Sequence, residues 1–231
     1  MRRILLAALF MLRPLPAFSQ FLPDLQAKTP EEYDSYLDVL DGPLFEKAEA
    51  FERVYPGSAL RLPVCELLAR AWRSRGNAEQ AIAAAERGLA IAPDYVPLLV
   101  EVAELLANGA QRLDRAEGAA QRALELLATL KAPLRVTPEE WTTAVSKLRA
   151  GAYGALGMVR FKRDDTTGAL QEFEAALAAR PDGDPALHYR LGKLYAVIGR
   201  LGEARVQLRK AAASADPVLR ERARAALAEL R

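Results

Sequence analysis

The chain has very little of the residue types on which metal and thiol chemistry depend. Its 231 residues include one cysteine, Cys65, and one histidine, His188. A disulfide framework needs at least two cysteines, and a zinc site built on Cys and His needs four such ligands or three with a water. The sequence therefore predicts no disulfide, no metal and no other cofactor. Cys65 is interpreted as a small buried hydrophobe, with a reactive thiol as the alternative.

Aromatic residues are also scarce. They make up 7% of the chain, whereas hydrophobic residues together make up 51%, and leucine and alanine account for most of these. Because Ala, Leu, Glu, Arg and Gln are strong helix formers, this composition argues against a β-rich enzyme scaffold and predicts an all-α protein.

No long hydrophobic run is present, but a short one lies near the N-terminus. Arg2 and Arg3 precede nine apolar residues, 4–12, and the small residues Ala17 and Ser19 follow. This layout predicts a signal peptide over residues 1–19, cleaved after Ser19, and export to the periplasm or the extracellular space. Nine residues span about 13 Å as a helix, less than half of a ~30 Å hydrocarbon core, so no membrane span is expected in the mature chain. Retention of the segment as an anchor is the alternative.

The charge of the chain is balanced overall and uneven along its length. Removal of residues 1–19, with three arginines and no acid, changes the formal net charge from +2 to −1, which argues against a nucleic-acid partner. Residues 20–58 carry a net charge of −6, and residues 185–231 a net charge of +6. This polarity suggests a homo-oligomer in which the acidic end of one copy meets the basic end of another.

Prolines and glycines divide the remaining chain into helical segments. Thr29-Pro30-Glu31-Glu32 and Thr137-Pro138-Glu139-Glu140 are capping boxes, which fix two helix starts. Glycines such as Gly76 and Gly199 fall between the prolines and supply turns. Eleven helices are predicted, near residues 31–40, 43–55, 61–75, 78–91, 96–108, 113–131, 138–162, 167–180, 185–198, 201–214 and 217–230.

Four of the helix pairs superimpose on a frame of about 34 residues. Small residues recur twelve positions apart, as in Ala69 with Ala81, Gly157 with Ala169 and Gly192 with Ala204, and they allow antiparallel helices to approach closely. Larger apolar residues and a closing proline recur with them at Leu68, Trp72 and Pro93; Tyr153, Leu156, Phe173 and Pro181; and Leu191, Tyr195 and Leu208. These units, 62–95, 96–130, 150–183 and 185–218, resemble the tetratricopeptide repeat (TPR) family.

The resemblance implies a right-handed α-solenoid of antiparallel helix pairs. We expect a linker over 20–30, a divergent first helix pair over 31–58, the TPR array over 62–218 with residues 138–149 as a helical extension, and a C-terminal capping helix over 217–231.

In this family the first helix of each unit lines a concave wall that binds protein segments. The resemblance places the following candidate partner-binding residues there: Glu66, Arg70, Arg73, Glu104, Gly154, Met158, Phe161, Tyr189 and Lys193. Met158 and Phe161, above a bare Gly154, would form an apolar depression; alternatively, Phe161 caps the packing of its own helix. Family members that bind C-terminal carboxylates have Lys and Asn where this chain has Glu66 and Arg70. Glu101 and Glu104 add like-charge repulsion, so acidic chaperone tails are not the expected ligands.

No catalytic apparatus is apparent in the sequence. His188 has no second histidine and no Ser, Asp or Glu at a spacing that would orient it, and no glycine-rich phosphate loop is present. The predicted function is an exported, non-enzymatic scaffold that binds a protein or peptide along its concave face, in envelope or secretion machinery. A self-associating structural protein is the alternative, and an envelope hydrolase is a remote one.

Overall fold

The computed structural model describes residues 25–133, 136–180 and 183–230. The predicted signal peptide lies outside these residues. Within them the chain forms eleven helices and no strand, which confirms the all-α prediction. The helices are α1 Pro30–Asp41, α2 Leu44–Val54, α3 Arg61–Ser74, α4 Ala78–Ile91, α5 Val96–Asn108, α6 Leu113–Thr129, α7 Pro138–Lys162, α8 Thr166–Ala179, α9 Pro185–Val197, α10 Leu201–Ala211 and α11 Pro217–Glu229. Every end lies within three residues of its predicted position.

Side-chain caps fix the starts of several helices. Thr137 Oγ1 accepts a hydrogen bond from the backbone of Glu140 at 3.2 Å, and Glu140 Oε2 accepts one from the backbone of Thr137 at 3.1 Å. At α1, Thr29 likewise accepts from Glu32. Asn77 and Asp165 accept from backbone amides at the starts of α4 and α8. These bonds satisfy amides that the first turn of a helix leaves unpaired.

The helices pack as successive antiparallel pairs: α1 with α2, α3 with α4, α5 with α6, α7 with α8 and α9 with α10. The second helix of each pair packs on the first helix of the next, and α11 covers α9 and α10. First helices also meet each other, α3 with α5 and α5 with α7, whereas no two second helices in the described chain touch to a comparable extent. The array is therefore a solenoid with its first helices on the inner, concave side.

The small residues lie where the helices cross. Ala69, Ala81, Ala169 and Ala204 are fully buried. A Cβ atom on Gly157 would lie 2.7 Å from the Phe173 ring, and one on Gly192 would lie 2.7 Å from Leu208 Cγ. These distances are too short for any side chain, so the glycines let α7 approach α8 and α9 approach α10.

Helix α7 joins two hydrophobic clusters. The first cluster runs from α1 to α7 and the second from α7 to α11. Tyr153 and Met158, both on α7, pack against both clusters. The 25-residue α7 is therefore the element through which the two halves of the core are continuous.

Candidate protein-binding groove

The inner face of the array contains a pocket of about 150 Å³ between α3, α5 and α7. Its apolar wall comes from the start of α5 and from Leu148 of α7, and its polar residues come from all three helices. The polar residues are Glu66, Arg70, Arg73, Glu101, Glu104 and Lys147; the apolar ones are Pro97, Leu98, Val100 and Leu148. We call this pocket, together with the α7 face that continues from it, the groove.

Glu66 is at the back of the groove and is almost completely buried, with 3% of its side chain exposed. The hydroxyl of Tyr95 donates to its Oε2 at 2.5 Å, and Arg70, one turn away on α3, forms an ion pair with its Oε1. Burial raises the pKa of Glu66, while Arg70 and the Tyr95 hydrogen bond oppose that shift. Glu66 was expected to be an open surface residue of the wall; it is instead committed to Tyr95 and Arg70.

Arg73 connects α3 to α5. Its Nη1 lies 2.8 Å from Glu101 Oε2 and 2.8 Å from Glu104 Oε2, so one guanidinium holds two carboxylates on successive turns of α5. Burial alone would lower the pKa of Arg73, but attraction by Glu104 and Glu101 outweighs it and raises that pKa. For Glu101, burial raises the carboxyl pKa and Arg73 offsets only part of the effect. The two acids of α5 are thereby engaged within the protein.

The structure brings together four of the predicted residues, Glu66, Arg70, Arg73 and Glu104, in the pocket. Three others, Gly154, Met158 and Phe161, lie along one face of α7. Residues 147 and 151 lie on the same face, because all five positions are three or four residues apart. Met158 is half-buried, and Phe161 is 40% exposed.

The expectation of a bare Gly154 is wrong. Leu187 of α9 covers it, and a Cβ there would lie 3.2 Å from Leu187 Cδ2. The last two predicted residues, Tyr189 and Lys193, lie on α9 and not among those that line the pocket. Tyr189 packs into the second cluster, and Lys193 is paired with Glu229 of α11 at 3.4 Å.

Sequence reasoning missed Lys147 and Arg190 as residues of the inner face. Residues 154, 158 and 161 form a stripe along α7, and extending this stripe toward the N-terminus by one and two turns reaches Gly151 and Lys147. The helical spacing therefore contained a signal for Lys147. A Cβ on Gly151 would lie 2.7 Å from Val100 Cγ1 and 3.1 Å from Glu104 Oε1, which shows how closely α5 and α7 meet. No local signal identified Arg190, because its hydrogen-bond partner, Asn108, is 82 positions away.

Arg190 extends from α9 across α7 toward α5. Its Nη2 donates to Asn108 Oδ1 at 3.1 Å, and its Nη1 lies 3.7 Å from the position of a Cβ on Gly154. A side chain at position 154 would therefore reduce the space that the Arg190 guanidinium occupies beside α7. Burial lowers the pKa of Arg190 despite attraction from Glu104 and Asp184.

Neither His188 nor Cys65 lies in a reactive arrangement. His188 Nδ1 is 2.7 Å from Gln207 Oε1, and no carboxylate hydrogen-bonds to it within the described chain. Cys65 is buried, and burial together with Glu52 raises the pKa of its thiol to about 12, so it is protonated at neutral pH. Over the described ranges, no three or more His, Cys, Asp or Glu side chains are grouped to hold a metal, and no helix is long and apolar enough to cross a bilayer.

Comparison with known proteins agrees with this architecture. Residues 160–230 match the family described as tetratricopeptide repeat, and no curated protein matches the chain.

Among solved structures, the chain is similar to PilW, a type IV pilus biogenesis factor, with 15% identity and a TM-score of 0.58 over 87% of this chain and 91% of that one. It is also similar to TTC0263, a thermophilic TPR protein of Thermus thermophilus, with 21% identity and a TM-score of 0.50 over 85% and 99% of the two chains. A MamA RS-1 double mutant matches with 13% identity and a TM-score of 0.56 over 86% and 98%. Residues 160–230 therefore match the tetratricopeptide repeat family, and the described part of the chain as a whole has the solenoid fold of these solved structures.

Proposed function

We propose that this protein is an exported, non-enzymatic scaffold that binds a polypeptide segment along its concave face, within cell-envelope or secretion machinery. A tetratricopeptide repeat protein is a scaffold for protein–protein interaction, so the finer questions are where the partner lies and in which compartment. The observation that carries the proposal is the pocket on the inner face, where apolar residues and charged groups from α3, α5 and α7 converge.

Groove binding can be tested with a peptide selected from a displayed random library against the purified protein. Replacing the exposed Lys147 and Phe161 together by alanine is expected to weaken binding of that peptide at least tenfold, because both lie on the groove face of α7. Val206→Ala removes an apolar side chain that is also well exposed, from the second helix α10, and serves as the control. Unchanged affinity of the double variant, or an equal loss in the control, would show that the partner binds elsewhere.

Export rests on the sequence of residues 1–19. A fusion of residues 1–24 to an alkaline phosphatase that lacks its own signal is expected to become active, because that enzyme needs an oxidising compartment for its disulfides. Leu5→Asp with Leu6→Asp in the apolar run is the control and is expected to abolish the activity. An inactive parent fusion would contradict the export proposal and leave groove binding untouched. PilW shares the fold, and its description as a pilus biogenesis factor is compatible with an envelope role.

Self-association is a second candidate function, and a specific observation favours it. The acids Glu31, Asp34, Asp38 and Asp41 form one exposed stripe on α1, and Arg209, Lys210 and Arg222 are exposed at the other end of the array.

If these two surfaces bind each other, sedimentation should show oligomers at low salt that dissociate as the salt concentration rises. Asp34→Lys and Arg222→Glu should each weaken the oligomer, and mixing the two variants should restore it. A monomer at every salt concentration would rule this function out.

The remaining alternative, an envelope hydrolase, receives no support from the neighbours of His188.

A further inference from the structure

The acids of the groove are already engaged by partners within the protein. Tyr95 and Arg70 hold Glu66, and Arg73 holds both Glu101 and Glu104. Two cations on the same inner face have no ion pair within the described chain: Lys147, which is exposed, and Arg190, which is half-buried. The three acids and their two arginines sum to a formal charge of −1, and Lys147 and Arg190 bring the inner face to +1. The charge available to a ligand is therefore positive, although the groove has charges of both signs.

Arg190 is the more buried of the two cations. A guanidinium carries five N–H donors. Among the residues that the structure describes, Arg190 donates one hydrogen bond, to the neutral amide oxygen of Asn108. Partial burial of a charge that has no hydrogen-bonded carboxylate is unfavourable, and burial also lowers the pKa of Arg190 despite attraction from Glu104 and Asp184. A carboxylate supplied from outside would remove this deficit and could form two parallel hydrogen bonds with the guanidinium.

The two cations are separated along α7 in a way that suggests the form of the ligand. Lys147 is seven residues before Gly154, the residue that Arg190 crosses, which corresponds to about 10 Å along the helix. An extended or polyproline II segment covers about 10 Å in three residues. Two acidic side chains three residues apart in such a segment would therefore contact Lys147 and Arg190 at the same time.

We infer that the partner segment is acidic and that Arg190 and Lys147 bind its carboxylates in the groove. This inference rests on the proposed function and specifies its ligand. It also reverses the expectation, drawn from Glu66, Glu101 and Glu104, that acidic segments are repelled. Arg70 and Arg73 pair with these three acids, and the two further cations outweigh the one negative charge that remains.

The test uses a fluorescein-labelled peptide of four Glu-Pro-Ser repeats, which places carboxylates three residues apart, and a matching Lys-Pro-Ser peptide. By fluorescence polarisation, the acidic peptide is expected to bind at least tenfold more tightly than the basic one. Arg190→Gln is expected to weaken acidic-peptide binding about tenfold, as is Lys147→Gln. Arg53→Gln removes an exposed cation from the second helix α2 and is expected to change nothing.

Two further variants separate charge from structure. Asn108→Ala keeps the guanidinium and removes its acceptor, so it should bind the acidic peptide at least as tightly as the parent. Arg190→Lys keeps a cation and should retain more affinity than Arg190→Gln, even if both lower the melting temperature.

Equal affinity for the two peptides, or an equal loss in Arg53→Gln, would overturn the inference. Library-selected peptides that lack acidic residues but still require Phe161 would overturn it as well, while leaving the proposed groove function standing.

Discussion

Glycine and alanine occupy the points where paired helices come closest. Their positions could be inferred from the sequence, because the small residues of each helix pair recur twelve positions apart. The twelve-residue recurrence predicted that Gly157 lies at the α7–α8 crossing. The spacing did not reveal that the Phe173 ring would fill the space beside Gly157, because that depends on the rotamer of a side chain on the neighbouring helix.

Gly157→Ala should lower the free energy of unfolding by about 1–3 kcal/mol, because the added methyl must displace a buried ring or separate α7 from α8. Gly118→Ala is the matched control: Gly118 is exposed on α6 and nothing lies within 4 Å of a Cβ there. The control should gain about 0.5–1 kcal/mol from its better helix propensity. Urea denaturation followed by circular dichroism measures both, and a stabilising Gly157→Ala would contradict the close crossing.

The buried acids of the groove make stability depend on pH in a predictable direction. Burial raises the folded-state pKa of Glu101 above its ordinary value of 4.5, so the folded protein binds that proton more tightly than the unfolded chain. The resulting stability is present below about pH 4.5 and is lost as the pH rises through the folded pKa. Glu101→Gln should therefore become progressively more stable relative to the parent between pH 4 and pH 7.

Glu140 provides a control of opposite sign. Its hydrogen bond from the Thr137 amide lowers its pKa, so its contribution is present above pH 4.5 and is lost as the pH falls. The advantage of the parent over Glu140→Gln should shrink in acid. The same pH trend in both variants would contradict this account.

At the scale of elements, helix ends were predictable and contacts between distant helices were not. Caps and prolines act within a few residues, so α4, α5 and α7 begin and end at the predicted positions. The contact of Arg190 with Asn108 joins α9 to α5 across α7 and leaves no trace in local sequence. For this reason the sequence identified four of the pocket residues but not the cation beside them.

Thr137→Ala should cost about 1 kcal/mol, because it removes the side chain that caps α7 and leaves a backbone amide unpaired. Thr142→Ala, at an exposed position of the same helix, should change stability by less than about 0.5 kcal/mol. Thermal unfolding of the two variants gives the comparison. If they are equal, the capping box contributes nothing measurable.

At the scale of the whole molecule, curvature separates two kinds of surface. First helices meet on the inner side and carry the groove, while second helices form the outer side. Because α7 contributes to both hydrophobic clusters, a ligand on its inner face contacts the element that joins the two halves. The resemblance to the TPR family predicted which helices face inward, but the commitment of the inner acids to internal ion pairs required the coordinates.

Hydrogen-exchange mass spectrometry of the protein with a library-selected peptide tests the central claim most directly. Amides of α3, α5, α7 and α9 should exchange more slowly when the peptide is bound, because a segment in the groove covers these helices, while α4, α6, α8 and α10 should exchange as in the free protein. Slowed exchange confined to the second helices would contradict the account.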